Sequence, residues 1–343
     1  MSRTYGIDLG SSTLKIYLAG KGMVYSQKNV LAVIDKKRTI AIGDEAWDMA
    51  EKAPANIEVL QPVRSGVPAQ VKNMISVLDT AFERIGEEHG KGVGIDILLA
   101  VPTYATQVEK MALVKLLDSA AIKPKSVKVV DRPVADAIGA GIDIKECFGV
   151  MIVNIGAETT EISVVSMGGT VTGIMLKIGG NALDECIISA VRLHYNFIIG
   201  KKTAEQIKIK LGTAKPPMDD EKITMKAFGR DVISGLPGSF TIDSEFVYWA
   251  IKENLDRITD AVRNMFEHAT PEMSADIYES GIYLTGGDGA IKDLDKALSE
   301  ATGLSVTVCD RGAESAAVGL GKIAEDRTLR FFAEDYMTVG KYE

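Results

Sequence analysis

Two short segments of the chain place glycines, hydroxyls and a carboxylate or amide in the same order. The first is Gly6-Ile-Asp-Leu-Gly-Ser-Ser-Thr13, and the second is Val153-Asn-Ile-Gly-Ala-Glu-Thr-Thr160. A turn made of Gly10, Ser11, Ser12 and Thr13, or of Gly156, Ala157 and Thr159, presents backbone N–H groups on one side without Cβ interference. That is an anion nest suited to phosphate. Asp8, beside the first turn, is a natural holder of a hydrated Mg2+, an ion that keeps its waters and takes few protein carboxylates. Asn154 holds the matching place in the second and can hydrogen-bond a metal-bound water without adding charge. Lys15 reads equally as a phosphate contact or as an exposed strand lysine. A third glycine junction, Leu284–Gly289, would pass close under a flat ring such as a purine, where side chains would obstruct.

Each of the first two segments continues into a β-rich run, Leu14-Lys-Ile-Tyr-Leu-Ala19 or Glu161-Ile-Ser-Val-Val-Ser166, and stops at Gly20-Lys-Gly22 or Gly168-Gly169. The pattern predicts two hairpins with glycine-hydroxyl tips. Their recurrence predicts an internal duplication and two related α/β halves, with one hairpin from each half gripping phosphates across a cleft. Between them strands and helices alternate: strands at 95–102 and 126–130, helices at 106–121 and 134–141. That alternation is the signature of a largely parallel sheet covered by helices. The second half predicts helices at 181–197, 204–211, 243–269, 289–302 and 313–323, and a strand at 281–285. Residues 216–222 read as a loop or a turn into an inserted strand.

A length of 343 residues suits two domains. Hydrophobic residues at 46% and charged ones at 25% exclude a mainly disordered chain. The net charge of −8 disfavours generic nucleic-acid binding, so no nucleic-acid partner is expected. No stretch approaches a membrane-spanning length, and the N-terminus lacks a secretory pattern. Cys147, Cys186 and Cys309 are too scattered for a disulfide framework or a zinc knuckle, as are His89, His194 and His268 for a metal site. A soluble protein of a reducing compartment is expected.

At this point the motifs carry a resemblance. Gly6-Ile-Asp-Leu-Gly-Ser, Gly43-Asp-Glu-Ala, Val101-Pro-Thr with Val108-Glu-Lys, and Pro133-Val-Ala-Asp-Ala-Ile-Gly-Ala-Gly141 are similar to the actin and sugar-kinase ATPase superfamily, and in detail to the MreB-like bacterial actins. So are Thr159–Gly169, Gly179–Glu185, Ile199–Lys208, Ser239-Phe-Thr241 and Leu284-Thr-Gly-Gly287, in that order. The resemblance runs from Gly6 to about Asp326. It implies an α/β, actin-like, ribonuclease H-like duplicated fold. Domain I would be 1–140 plus 316–343 with an insertion at about 30–70, and domain II 141–315 with an insertion at about 181–239. It implies ATP and Mg2+, assembly of the chain with itself into filaments, and a cytoplasmic role in cell shape, with membrane or cell-wall machinery as further partners. By position, Asp8 and Asn154 would serve the metal. Gly10, Ser11, Ser12, Thr13 and Lys15 would line the first phosphate loop, and Gly156, Ala157 and Thr159 the second. Glu205 and Lys208 match ribose and adenosine contacts, and Gly286, Gly287 and Asp288 the adenine-side turn. Without the resemblance, Glu205 and Lys208 read as a solvated i,i+3 ion pair.

Three departures fall where hydrolysis would occur. The family usually has a glutamate before the proline of the 133–141 helix, thought to position the attacking water; here stands Arg132, preceded by Asp131. Asn154 replaces an aspartate, and Glu158 replaces a glycine. A guanidinium is donor-only and cannot accept a proton from water. Asp131 is the substitute base the sequence offers, with Thr159 beside it in the catalytic set, so altered or weak hydrolysis is expected. A cleft richer in positive charge is also expected to need Mg2+ less. A small-molecule kinase of the same fold lacks an acceptor-site motif. A chaperone ATPase would need a long C-terminal extension, and a non-hydrolysing nucleotide-binding scaffold shares the fold. Membrane attachment through the 86–94 loop is disfavoured because the loop has no bulky apolar pair, and Leu329, Phe331 and Phe332 are expected to dock on the protein itself.

Overall fold

The computed structural model describes residues 3–90, 94–145 and 148–338. The chain divides into two compact units: one formed by 1–147, 163–174 and 313–343, the other by 148–162 and 175–312.

The first unit opens with β1 (Arg3–Leu9), β2 (Thr13–Leu18) and β3 (Gly22–Lys28). A small layer follows, made of β4 (Leu31–Ile34), β5 (Arg38–Ile42), α1 (Asp44–Met49) and β6 (Ile57–Leu60). Next come the short pair β7 (Val63–Arg64) and β8 (Val67–Pro68), then α2 (Val71–His89), β9 (Ile95–Val101), α3 (Gln107–Ser119), β10 (Ser126–Asp131) and α4 (Arg132–Gly139). β1 pairs antiparallel with β2 and parallel with β9, and β9 pairs parallel with β10. Ile97–Val101 in β9 is buried throughout, as a strand covered on both faces must be. α2 lays Met74, Val77, Leu78, Ala81, Phe82 and Ile85 into that core at three- and four-residue spacing. α3 begins at a capping box in which Thr106 and Glu109 satisfy each other's backbone N–H groups.

The second unit carries β11 (Val150–Ile155), β12 (Thr160–Ser166), β13 (Gly169–Leu176), α5 (Gly180–Tyr195), β14 (Phe197–Ile198) and α6 (Lys201–Leu211). The inserted hairpin β15 (Thr224–Asp231) and β16 (Pro237–Asp243) leads into α7 (Ser244–Glu267), α8 (Pro271–Ser280), β17 (Ile282–Thr285), α9 (Leu294–Thr302) and β18 (Val306–Val308). Its main sheet runs β13-β12-β11-β17-β18, and β14-β15-β16 form a separate three-stranded sheet. The outer part of the β12–β13 hairpin, 163–174, groups with the first unit. The chain then returns to the first unit through α10 (Ser315–Glu325) and β19 (Glu334–Thr338), which closes a six-stranded sheet ordered β19-β10-β9-β1-β2-β3.

α10 crosses α4 at glycines. A Cβ on Gly319 would stand 1.8 Å from the Ala135 carbonyl oxygen, and one on Gly139 1.9 Å from that of Ser315. The fully buried Asp136 on α4 accepts a hydrogen bond from the Ser315 hydroxyl.

Several expectations shift. The helix expected over 289–302 is a 3-10 turn at Asp288–Ala290 followed by α9, because Asp293 adopts φ 59 and breaks the run. α5 ends at Asn196, whose left-handed φ of 57 lets Phe197 enter a strand instead. Of the tail residues, Phe332 is buried over Gly168, Leu329 is half-buried, and Phe331 is exposed. Residues 91–93 of the 86–94 loop, and Cys147, lie outside the described residues. No described helix is long and apolar enough to cross a membrane.

Candidate functional site

In the first unit, the β1–β2 register pairs Leu9 with Leu14 and leaves Gly10–Thr13 to turn the chain. Asn29, fully buried just after β3, holds this turn from one side. Its Nδ2 donates to the Gly10 carbonyl at 2.9 Å, and its backbone N–H donates to the Ser12 carbonyl at 2.8 Å. A trans peptide sets its N–H opposite its C=O, so the Ser11 amide points away from Asn29. The Ser11 hydroxyl accepts from the Gly66 N–H of the β7–β8 hairpin at 3.2 Å, and the Lys28 ammonium reaches the Ser12 hydroxyl at 3.4 Å. Truncating Asn29 to alanine leaves the Gly10 carbonyl without this donor. The expected cost is about 1–3 kcal/mol of stability, read as a lower melting temperature, together with weaker binding at the turn.

Cations crowd the loop's one carboxylate. Asp8 is 6% exposed and faces Lys15 across the β1–β2 ladder, with Lys15 Nζ 3.4 Å from its Oδ2. Arg132, the first residue of α4, brings Nη2 to 3.5 Å from Asp8 Oδ1. Both cationic side chains are largely buried, at 13% and 12% exposure, so Lys15 is not an exposed strand lysine. Asp131 caps β10 one residue earlier, and its carboxylate lies 3.4 Å from Lys110 of α3. The residue that reaches the loop is therefore Arg132, while Asp131 pairs with another helix.

Asp8 Oδ1 is buried with no hydrogen-bond partner, an orphaned acceptor that suits a water of a hydrated Mg2+, while Lys15 and Arg132 stand 3.4 and 3.5 Å from the carboxylate's two oxygens. Among the described residues no group of three or more His, Cys, Asp or Glu could hold a metal.

In the second unit the other glycine turn packs on the start of α5. Gly156 N–H donates to the Thr159 carbonyl, and the Gly180 and Asn181 N–H groups donate to the Gly156 and Ala157 carbonyls at 2.9 and 2.7 Å. A Cβ on Gly179 would come within 2.5 Å of the Gly156 carbonyl oxygen, so close approach demands glycine there. Gly286, at φ +81, passes so near the Ile155 backbone that a Cβ would stand 2.3 Å from its carbonyl oxygen. Asn154 lies beside Thr285 in the β11–β17 ladder and is half-buried, as are Glu158, Thr159 and Glu205.

Lys208 ties these pieces together. Its ammonium lies 2.9 Å from Asp288, 3.1 Å from Asp184 and 3.1 Å from the Gly180 carbonyl, at 6% exposure. Lys208 is thus not half of a solvated i,i+3 pair, the alternative to its reading as a nucleoside contact, but a buried bridge among α6, α5 and the turn after β17. Burial opposes the Lys208 charge, but Asp288 and Asp184 outweigh it and raise its pKa. Burial pushes Asp184 up from 3.8 to about 6, against the pull of Lys208 and with the help of Asp288 and Glu205. A carboxyl that binds its proton more tightly when folded favours the fold at low pH. Stability should therefore fall by about 3 kcal/mol as pH rises from about 4 to about 6. Thermal melts across that window should show the slope, and Asp184→Asn should flatten it.

The structure places Asp8, Gly10–Thr13 and Lys15 in the first unit, and Gly156, Ala157, Thr159, Glu205, Lys208 and Gly286–Asp288 in the second. Sequence reasoning missed Asn29 and Asp184. Asp184 had a signal: it lies on the Gly180, Leu183, Ile187, Val191 face of α5, and a carboxylate on a buried face demands a partner. Asn29 had only its place as one polar residue between two strands.

The family described as MreB/Mbl protein matches the chain over residues 2–330. The chain belongs to the MreB/Mbl family. It is 35% identical to the cell shape-determining protein MreB of Escherichia coli (strain K12), covering 94% of each chain. The fold superposes on a crystal structure of MreB5 of Spiroplasma citri bound to ADP with a TM-score of 0.88, at 29% identity, covering 94% of this chain and 96% of that one. A MamK double helical filament matches with a TM-score of 0.78 at 21% identity, covering 95% of this chain and 99% of that one, a likeness of fold alone. The chain is a bacterial actin homologue with an actin-like fold.

Proposed function

We propose that this bacterial actin binds ATP and assembles with copies of itself into cytoplasmic filaments that serve cell shape, hydrolysing its nucleotide slowly. The observation that carries the reading is the Gly10–Thr13 turn, held from one side by Asn29 and bordered by Lys15, Lys28 and Arg132. A glycine-hydroxyl turn among three cations suits a polyphosphate. The relatives support it: one is named for cell-shape determination, one is bound to ADP, and one forms a double helical filament. Gly156, Ala157 and Thr159 would contact the phosphates from the second domain, and Glu205 and Gly286–Asp288 the nucleoside. Asn154 is the amide available to a metal-bound water, and Asp8 the carboxylate, already charge-paired. Domain boundaries near 140 and 315 are part of the same reading.

A nucleotide-binding scaffold without turnover is the second reading, favoured by one observation. Arg132 stands where a water-orienting carboxylate is expected, and Asp131 is held by Lys110. Sedimentation and electron microscopy of the purified chain should show polymer with ATP. A chain that stays monomeric with and without nucleotide at every concentration contradicts the filament reading. Phosphate release well below that of hydrolysing relatives is expected, and turnover equal to theirs contradicts the slow-hydrolysis part.

A further inference from the structure

We infer that Lys208 is a positioning residue for the Gly156–Thr159 turn, aiming that turn's amides at the phosphates of a nucleotide by way of α5, and is not itself a contact of the nucleoside. The inference rests on the nucleotide reading above and reassigns the residue that the resemblance matched to adenosine.

Three observations carry it. First, the ammonium is fully engaged. A lysine has three N–H donors and no acceptor. Here the ammonium faces the Gly180 carbonyl at 3.1 Å, Asp184 at 3.1 Å and Asp288 at 2.9 Å, and the residue is 6% exposed. Second, one of those partners is the residue that holds the turn. Gly180 N–H donates to the Gly156 carbonyl at 2.9 Å, and Asn181 N–H donates to the Ala157 carbonyl at 2.7 Å. A helix start has N–H groups with no partner inside the helix, and the turn's carbonyls satisfy them. In a trans peptide the N–H lies opposite the C=O, so the Ala157 and Glu158 amides point away from α5. Third, the bridge occupies space that only glycine leaves at position 180. A Cβ there would stand 2.1 Å from Asp288 Oδ2 and 2.7 Å from Lys208 Nζ.

The contacts therefore run from α6 through Gly180 to two carbonyls, and end at the amides that a phosphate would meet. Asp288 ties the same ammonium to the turn after β17, so the start of α5 is fixed against two elements. Without the ammonium the Gly180 end of α5 loses this anchor, and a small displacement of binding groups is enough to cost affinity. The loss falls on the phosphates and not on the base.

That difference supplies the test. Calorimetry on the full chain with Mg2+ gives dissociation constants for ATP and for inorganic tripolyphosphate, which has neither ribose nor base. Lys208→Met should weaken both by about tenfold, the two factors agreeing within about threefold. Gly180→Ala, which keeps the lysine but fills its space, should do the same. Ile277→Ala, a truncation at a fully buried position of α8, lowers stability without touching the bridge and should leave both constants unchanged. Loss of ATP affinity in Lys208→Met with tripolyphosphate unchanged makes Lys208 a nucleoside contact and overturns the inference. Unchanged binding of both ligands also overturns it, as does an equal loss in Ile277→Ala. An unmodified chain that binds ATP but not tripolyphosphate overturns it and leaves the nucleotide reading intact, whereas one that binds neither overturns both. A structure of the unmodified chain with AMPPNP needs no variant to fold. The ammonium should keep its three partners there, and a ribose or base atom within hydrogen-bonding distance of Lys208 Nζ overturns the inference.

Discussion

Exchanging Lys208 for methionine is expected to cost about 3–5 kcal/mol of stability at neutral pH, the usual loss when one partner of a buried ion pair is removed. Two carboxylates, Asp184 and Asp288, face this ammonium at 3.1 and 2.9 Å. Methionine has similar length and fills the space, so the loss would be electrostatic rather than a cavity. For a unit of this size the expected fall in melting temperature is about 6–20 °C. The cause has its own signature. Burial already pushes Asp184 up to about 6, and without Lys208 its carboxyl should take a proton more readily. Lowering the pH to about 5 should therefore recover much of the loss. A second substitution, Asp184→Asn, should recover part of it at neutral pH. A deficit that stays the same at both pH values would show that packing, not charge, is what Lys208 supplies.

Gly319→Ala is expected to destabilise the first unit by at least about 2 kcal/mol, despite a helix propensity that favours alanine by about 1 kcal/mol. The overpacking term decides the sign. A Cβ at Gly319 would meet Ala135 O at 1.8 Å, Ala135 C at 2.7 Å and Gly139 N at 3.0 Å, all backbone atoms that cannot rotate away. The helices must separate, and forcing a methyl into a packed core costs about 1–3 kcal/mol or more. α4 carries Arg132 at its first position, so its displacement should also weaken nucleotide binding. Gly287→Ala is the control: nothing lies within 4 Å of its Cβ, and its φ of −67 is ordinary. Thermal melts of the two variants should differ by several degrees, and equal melting temperatures would remove the close crossing from the account.

The hairpin tips were legible because their determinants are local. Glycine, hydroxyls and the β-rich runs of 14–19 and 161–166 lie within a dozen residues of each other, and the period-two pattern gives the strands. The helices of 107–119 and 244–267 were legible for the same reason, since caps and apolar spacing travel with the segment. What escaped is long-range. Gly139 and Gly319 read separately as small residues in two helices, and nothing in either helix says that they meet. Asp184, Lys208 and Asp288 come from three elements, so their bridge exists only once the second unit folds. α2, with a clear apolar stripe at 71–89, was readable from its spacing but carries no chemistry that would draw notice. Arg132 was legible as a departure from a resemblance; its contact with Asp8 was not, because Asp8 lies on β1 and Arg132 on α4, far apart along the chain.

The central claim is that the Gly10–Thr13 turn, with its fixed cations, receives the phosphates of a nucleotide. A structure of this chain with AMPPNP tests it most directly. The account predicts phosphate oxygens on the Gly10–Thr13 amides, with Arg132 and Lys15 within hydrogen-bonding range. Phosphates bound elsewhere, with the Gly10–Thr13 amides left to solvent, would contradict it.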